Sequence, residues 1–195
     1  MLKTQSMLLA ELDDYANPKT KLSRLVKQKH YFPIVKGLYE TNNNTPGYLL
    51  AGSIYGPSYL SFEFALAHHG LIPERVTTFT SATCLKKKKK LYTTDFGTFT
   101  YQDIPLKAFP YGIILEQEGN YYYRLATAEK ALCDKLYASP LLNNQRQLQD
   151  FLYNDLRIEP YNLKQLDVGD FLQYADLYAA NNVRLLARHM RRLIK

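Results

Sequence analysis

Seven residues, Thr41-Asn42-Asn43-Asn44-Thr45-Pro46-Gly47, divide this chain of 195 residues into two parts. They are polar and turn-forming, whereas the segments on either side carry regularly spaced apolar residues. Boundaries between domains commonly fall in exposed linkers of this composition. The sequence therefore predicts a small module over residues 1–45 and a larger domain over residues 46–195.

The module before the linker is predicted to contain two helices and a β-ribbon. Apolar residues recur at helical spacing over residues 5–15, and Asn17-Pro18 ends this helix and opens a second helix over residues 19–29. Residues 31–39 are β-branched and aromatic, which favours a strand or tight ribbon. This order is the outline of a winged helix-turn-helix, in which the second helix enters the major groove of DNA.

Basic residues of this module are candidate DNA contacts. The whole chain has 25 lysines and arginines against 18 aspartates and glutamates, and such an excess favours an anionic partner. On the second helix the basic residues lie mostly off the apolar face of Leu22, Leu25 and Val26. The predicted DNA-binding residues are Lys19, Lys21, Arg24, Lys27 and Lys36. The alternative interpretation is a small helical cap whose lysines are only solvated.

The larger domain is predicted to be α+β. Helices are expected around residues 48–54 and 58–70, followed by strands and then by further helices. The expected strands cover residues 76–84, 91–101, 111–116 and 121–125. The second of these stretches contains an internal turn at Asp95-Phe96-Gly97, and the last two form a hairpin around Glu118-Gly119-Asn120. The expected later helices begin at Thr127 and continue over residues 145–156, 170–180 and 183–193. This order indicates a mixed or antiparallel sheet followed by C-terminal helices.

Two further basic stretches are candidates for facing a partner or a nucleic acid. Adjacent lysines cannot all pack inward, so an exposed loop between two strands is expected, which would contact phosphates without reading sequence. A stripe of arginines on the last helix suits a nucleic-acid backbone or an acidic protein surface. The lysines are Lys86, Lys87, Lys88, Lys89 and Lys90, and the arginines are Arg184, Arg188 and Arg191. A solvated loop and an amphipathic closing helix are the alternative interpretations.

Charged residues at the start of the helix after the hairpin have two interpretations. Glu129 lies in the first turn, where the helix dipole stabilises a carboxylate, and Lys130 and Asp134 are spaced for an ion pair. We interpret these three residues as structural anchors. The alternative is an enzyme, either a metal-dependent nuclease or a nucleotidyltransferase, that uses Asp103, Glu116 or Glu129.

The sequence contains no pattern for a cofactor, a metal site or a catalytic nucleophile. Cys84 and Cys133 lack a metal-binding spacing and are expected to be buried free thiols. No apolar stretch approaches the roughly 18 residues of a membrane span, and no cleavable apolar leader opens the sequence. We therefore expect a cytoplasmic protein without a membrane partner, and a homo-oligomer is compatible with the sequence.

Seven stretches follow one another in a recognisable order. The first two are Pro18-Lys19-Thr20-Lys21-Leu22-Ser23-Arg24-Leu25-Val26 and Val35-Lys36-Gly37-Leu38-Tyr39. The others are Tyr59–Leu66, His69–Glu74, Phe79–Thr83, Gly97–Tyr101 and Ala126–Asp134. Together they resemble the AbiEi family of antitoxins and transcriptional regulators, over roughly residues 1–140.

This resemblance implies the antitoxin half of a bacterial type IV toxin–antitoxin pair. In that family the N-terminal winged helix-turn-helix binds operator DNA and represses its own operon, while the C-terminal domain counteracts a nucleotidyltransferase-like toxin. We therefore expect a regulator and not an enzyme, with operator DNA and such a toxin as partners and with no cofactor. The enzyme described above and a protein-interaction adaptor, whose basic faces meet an acidic partner, are the alternatives.

Overall fold

Two β-sheets form the framework of the computed structural model, which describes residues 1–193. The smaller sheet contains the strands β1 (Leu2–Thr4), β2 (Phe32–Val35) and β3 (Leu38–Glu40). They lie in the order β1-β3-β2, and both neighbouring pairs are antiparallel. Helices α1 (Gln5–Ala10) and α2 (Pro18–Lys27) come between β1 and β2 in the chain.

The small sheet contacts the larger domain, whereas α1 and α2 share a core of their own. That small core consists of Leu8, Leu12 and Leu22. Ile34 of β2 belongs instead to the main hydrophobic core. Glu40 of β3 is fully buried and accepts a hydrogen bond of 2.8 Å from the Tyr121 hydroxyl. The N-terminal module is therefore joined to the larger domain by packing as well as by the chain.

The predicted linker is only partly exposed. Residues 41–44 are exposed, whereas Thr45 and Gly47 are buried. A Cβ atom at position 47 would lie 2.2 Å from the ring of Phe79 and 2.3 Å from the carbonyl oxygen of Phe96, so only glycine fits there. The last residues of the linker are therefore part of the packing of the larger domain.

The larger sheet has six strands. They are β4 (Tyr59–Leu60), β5 (Thr78–Thr83), β6 (Lys90–Thr94), β7 (Gly97–Asp103), β8 (Ile113–Glu118) and β9 (Tyr121–Ala126). Their order is β6-β7-β5-β4-β9-β8. Strands β5 and β7 are parallel, as are β4 and β9, and the other three neighbouring pairs are antiparallel. This mixed sheet confirms the predicted α+β class.

The remaining helices pack around this sheet. They are α3 (Ala51–Ile54), α4 (Phe62–His68), α5 (Ala128–Ala138), α6 (Gln145–Asp150), α7 (Pro160–Lys164), α8 (Val168–Tyr178) and α9 (Asn181–Leu193). The main core includes Phe99, Leu132 and Leu186. Of the helices described over residues 1–193, none has the length and apolar character needed to span a membrane.

The observed elements follow the predicted pattern with a few differences. The predicted helix over residues 48–54 is a 3-10 turn, Gly47–Leu49, followed by the short helix α3. Strands β1 and β4 are absent from the prediction. The predicted helix over residues 145–156 divides into α6 and a π-helical turn, Phe151–Asp155. Helix α7 then follows as a separate short helix. The predicted hairpin of β8 and β9 is confirmed, and so are the helices after it.

Candidate nucleic-acid interface

Asn17 is the N-cap of helix α2. The side-chain Oδ1 of Asn17 accepts a hydrogen bond of 3.1 Å from the backbone N–H of Thr20. Pro18 occupies the first helical position, where no N–H donor is required. Leu22 is buried against α1. The cap and the buried leucine together determine which side of α2 faces solvent.

Four of the five predicted DNA-binding residues are exposed. They are Lys19, Arg24, Lys27 and Lys36. Lys21 differs because it is half-buried, with its Nζ 4.5 Å from the centroid of the Tyr15 ring. A cation in this position is attracted by the negative face of the ring. Lys21 is therefore held against Tyr15, and four basic side chains of the predicted set face solvent.

Lys36 lies in the turn between β2 and β3, and the neighbouring backbone fixes this turn. Gly37 has a φ of +83°, which glycine adopts without strain. The carbonyl of Gly37 accepts a hydrogen bond of 2.8 Å from the backbone N–H of Gln5, at the start of α1. This bond ties the ribbon to the two-helix unit, so Lys36 keeps a defined position beside α1.

A groove of about 350 Å³ separates α2 from the ribbon strands. Lys19 and Lys27 line it on the α2 side, and Pro33 and Tyr39 line it on the ribbon side. The two lysines are separated by about 12 Å along the helix axis. Arg24 and Lys36 do not line this groove, so the structure brings together two of the predicted basic residues there.

Two exposed basic residues outside the predicted set lie just beyond the C-terminal cap of α2, Gln28. Lys29 and His30 both face solvent and continue its basic run. The available signal was that Lys29 is the last residue of the second predicted helix and His30 comes directly after it. Lys3, by contrast, forms an ion pair with Glu11 at 2.6 Å and is not free to meet a phosphate.

The lysine run forms an ordered loop. The Oδ2 atom of Asp103 accepts hydrogen bonds of 2.7 Å from the backbone N–H groups of both Lys86 and Lys87. The Nζ of Lys86 donates to the carbonyl of Gly56 at 2.9 Å and lies 5.0 Å from the centroid of the Tyr55 ring. Lys86 is therefore half-buried, and the expectation of full exposure is wrong for this residue. The other four lysines are exposed as predicted.

The lysine run leads into β6, which lies at one edge of the six-stranded sheet. An uncovered sheet edge can pair with a strand of another molecule, and lysines are one means by which proteins prevent this. Lys90, the first residue of β6, can therefore protect the edge without any contact to nucleic acid.

The arginines of α9 lie on its exposed side. Val183, Leu186 and Met190 on the opposite side are fully buried, as predicted, and Leu185, Ala187 and His189 are buried as well, so the buried side is wider than the predicted stripe. The exposed stripe consists of Arg184, Arg188 and Arg191, which line a groove of about 200 Å³. Asp176 of α8 also lines this groove. Within residues 1–193, none of the three arginines forms an ion pair.

A charged cluster lies in the core at α5. Lys130 and Asp134 are both fully buried, and 3.3 Å separates the Nζ of Lys130 from the Oδ1 of Asp134. The Lys130 ammonium group also donates to the carbonyl of Ala108 at 2.9 Å. The sequence predicted the spacing of this pair but not its burial. We call these groups and the hydroxyls around them the Lys130–Asp134 cluster.

Three hydroxyl groups complete the Lys130–Asp134 cluster. Ser61 and Tyr59 donate to the Oδ2 of Asp134 at 2.6 and 3.0 Å, and Tyr178 hydrogen-bonds to both charged groups. Burial raises the pKa values of Tyr59 and Tyr178, and the negative charge of Asp134 adds to this shift. Burial lowers the pKa of Lys130, although Asp134 opposes the shift. The cluster links α5 to β4 and α8, which fits the predicted structural role.

The three carboxylates of the enzyme interpretation lie in different settings. Asp103 holds the lysine loop, as described above. The Oε1 of Glu129 accepts a hydrogen bond of 3.1 Å from the backbone N–H of Asp167. Glu116 lies on β8 in register with Tyr123 of β9. In the part of the chain that the structure describes, no three His, Cys, Asp or Glu side chains are grouped so that they could hold a metal ion.

Both cysteines are buried free thiols, as predicted. Cys84 follows β5 and Cys133 lies within α5. Burial raises the pKa of the Cys133 thiol well above its usual value. A thiol in this setting packs as a small apolar side chain.

Neither a comparison with protein-family models nor a search of curated protein sequences found a significant match to this chain.

Proposed function

We propose that the chain is a DNA-binding transcriptional regulator. In this proposal α2 lies in the major groove and the β2–β3 ribbon contacts adjacent phosphates. The observation that carries it is the exposure of Lys19, Arg24 and Lys27 on one short helix, beside Lys36 on a ribbon tied to α1. Residues 1–45 also contain seven basic and four acidic side chains, which favours a polyanion. Two helices followed by a ribbon support a winged helix-turn-helix arrangement.

We further propose that this regulator is the antitoxin of a type IV toxin–antitoxin pair. This part of the proposal rests on the resemblance to the AbiEi family. Its larger domain would counteract a nucleotidyltransferase-like toxin. The arginine stripe of α9 supports a partner-facing surface there, because guanidinium groups without ion-pair partners suit bidentate contacts to carboxylates. An acidic surface on the toxin would complement this stripe.

Fluorescence anisotropy tests the proposed DNA binding, with one duplex from the region upstream of the gene and one random duplex of equal length. We expect tighter binding to the upstream duplex. Each neutralised phosphate contributes about 0.9 to the slope of log affinity against log salt, so four contacts give a slope of about −3.6. Equal affinities for the two duplexes, or a slope near zero, would contradict the proposal.

Lysines outside the module provide a control for this measurement. The variant replaces Lys87, Lys88, Lys89 and Lys90 with Ser. Ammonium groups contact phosphates without the bidentate geometry that reads a base, so any loss of affinity should be equal for the two duplexes. A lower ratio of upstream to random affinity would place base recognition in the lysine loop instead of α2.

Replacing Arg184, Arg188 and Arg191 with Ser should reduce toxin neutralisation without changing DNA affinity. The three side chains are exposed, so the variant should remain folded. The measurement is growth of cells that co-express the variant with the nucleotidyltransferase-like product of a neighbouring gene. Full rescue of growth by the triple variant would remove the arginine stripe from the partner-facing surface.

A further inference from the structure

A groove of about 460 Å³ lies where α4 and α5 meet an uncovered part of the larger sheet. Small-molecule sites commonly have volumes of about 300–1,000 Å³. Thr80, Thr100 and Leu91 lie in register on three adjacent strands along this groove. The hydroxyl of Thr80 donates to the carbonyl of Ser61 at 2.6 Å, so this face of the sheet is the one on which α4 packs. Leu91 is 65% exposed, which leaves an apolar surface open to solvent.

Charged side chains border the groove on two sides. Glu63 of α4 and Lys135 of α5 form an ion pair, and each is partly exposed. Lys89 and Lys90, from the lysine run, also border the groove. Among the described residues, neither lysine forms an ion pair. The groove therefore has a net positive charge and two ammonium groups that are available to a ligand.

The backbone around the groove is held in unusual conformations. Phe62, which lines the groove, has a φ of +52°, and Leu85 and Lys87 in the lysine loop have φ values of +59° and +60°. Residues with a Cβ atom rarely adopt such backbone angles. The strain persists where the surrounding structure enforces it, often at ligand sites. Hydrogen bonds from Lys86 and Lys87 to Asp103 enforce it here. These bonds fix the backbone two residues before Lys89.

We propose that this groove binds a small organic anion. The anionic group, a phosphate or a carboxylate, lies beside Lys89 and Lys90, whose ammonium groups attract it without a competing carboxylate partner among the described residues. The apolar or aromatic body of the ligand covers Leu91 and removes its exposed surface from water. Glu63 and Thr100 supply an acceptor and a hydroxyl for polar groups of the ligand. This combination of an apolar surface with a few convergent polar groups is typical of small-molecule sites.

Calorimetric titration of the full chain tests this assignment with two pairs of probes. AMP is compared with adenosine, and phenylacetate with phenylacetamide, so that each pair differs in the anionic group. We expect saturable binding of AMP, of phenylacetate or of both, and at least about tenfold weaker binding of the uncharged member of the pair. Binding of AMP but not of adenosine would show recognition of a phosphate, and binding of phenylacetate but not of phenylacetamide would show recognition of a carboxylate.

Two variants at neighbouring positions separate a site from a general effect of charge. Lys89→Ala should lower the affinity for the anion about tenfold. Lys88→Ala, next in the chain and outside the groove, should leave this affinity unchanged. Both lysines are exposed, so both variants should keep the thermal stability of the parent chain. No saturable binding of either anion, or equal losses in the two variants, would overturn the proposal. The titration contains no DNA, so its result does not depend on the proposed DNA contacts.

Discussion

Reversing two charges on α2, Arg24→Glu together with Lys27→Glu, is expected to weaken binding to the upstream DNA by about 100-fold. Each charge-assisted contact contributes about 1.5 kcal/mol, and about 1.4 kcal/mol corresponds to a tenfold change in affinity. Both side chains are exposed and neither forms an ion pair within residues 1–193. The variant should therefore remain folded, which thermal unfolding can verify alongside the anisotropy titration.

A second variant with the same change in net charge provides the control. Lys107→Glu together with Lys164→Glu reverses two exposed lysines of the larger domain. Because salt screens charges beyond about 10 Å, this variant should lose no more than a few-fold in affinity. Equal losses in the two variants would mean that overall charge, and not α2, determines binding.

Elements whose signals are local could be predicted from the sequence. Asn17-Pro18 is a helix start because its cap and its proline act within one turn, and Gly119-Asn120 is a two-residue hairpin turn because glycine tolerates its positive φ. Strand β1 lacks such a signal. It has only three residues and forms by pairing with β3, nearly forty residues later in the chain. A short strand that depends on a distant partner cannot be recognised from its own sequence.

Some residues of the candidate interfaces could also be predicted from local sequence, whereas the positions of others depend on contacts that the local pattern does not reveal. The exposed arginines of α9 could be predicted because Val183 and Leu186 define the buried side of the same helix. The position of Lys21 depends on Tyr15, in the turn before α2, and helical spacing does not reveal that contact. The ordering of the lysine loop likewise depends on Asp103, which lies on a neighbouring strand.

The burial of Lys130 and Asp134 could not be inferred from their charge, because charged residues are rarely buried without a partner. A weaker signal was present between them. Ala131, Leu132 and Cys133 are consecutive apolar residues, so they point to several sides of α5. A run that is apolar on several sides indicates a largely buried helix. Lys130 and Asp134, which flank this run, are buried with it, whereas Glu129 and Lys135 stay partly exposed. The partners of the two buried residues come from β4 and α8, which only the tertiary structure brings together.

Removing one charge from the Lys130–Asp134 cluster, as in Asp134→Ala, is expected to lower the free energy of unfolding by about 3–5 kcal/mol. The substitution leaves the Lys130 ammonium group in the core without its counter-charge. It also removes the acceptor for the hydroxyls of Tyr59 and Ser61. Glu129→Gln, on the same helix but half-exposed, should cost only about 0.3–1 kcal/mol, because it weakens a favourable contact with the helix dipole. Urea denaturation of the two variants measures both values.

The double variant Lys130→Met with Asp134→Leu distinguishes an ion pair from general packing. Two charges were taken out of water to form the cluster, so replacing both with apolar side chains of similar size removes the desolvation cost together with the attraction. The double variant should therefore be more stable than either Asp134→Leu or Lys130→Met alone, although the hydroxyl of Tyr178 loses both of its charged partners. The two side chains act independently if the loss in free energy of unfolding of the double variant equals the sum of the losses of the two single variants. A coupled pair gives a non-additive double-mutant cycle.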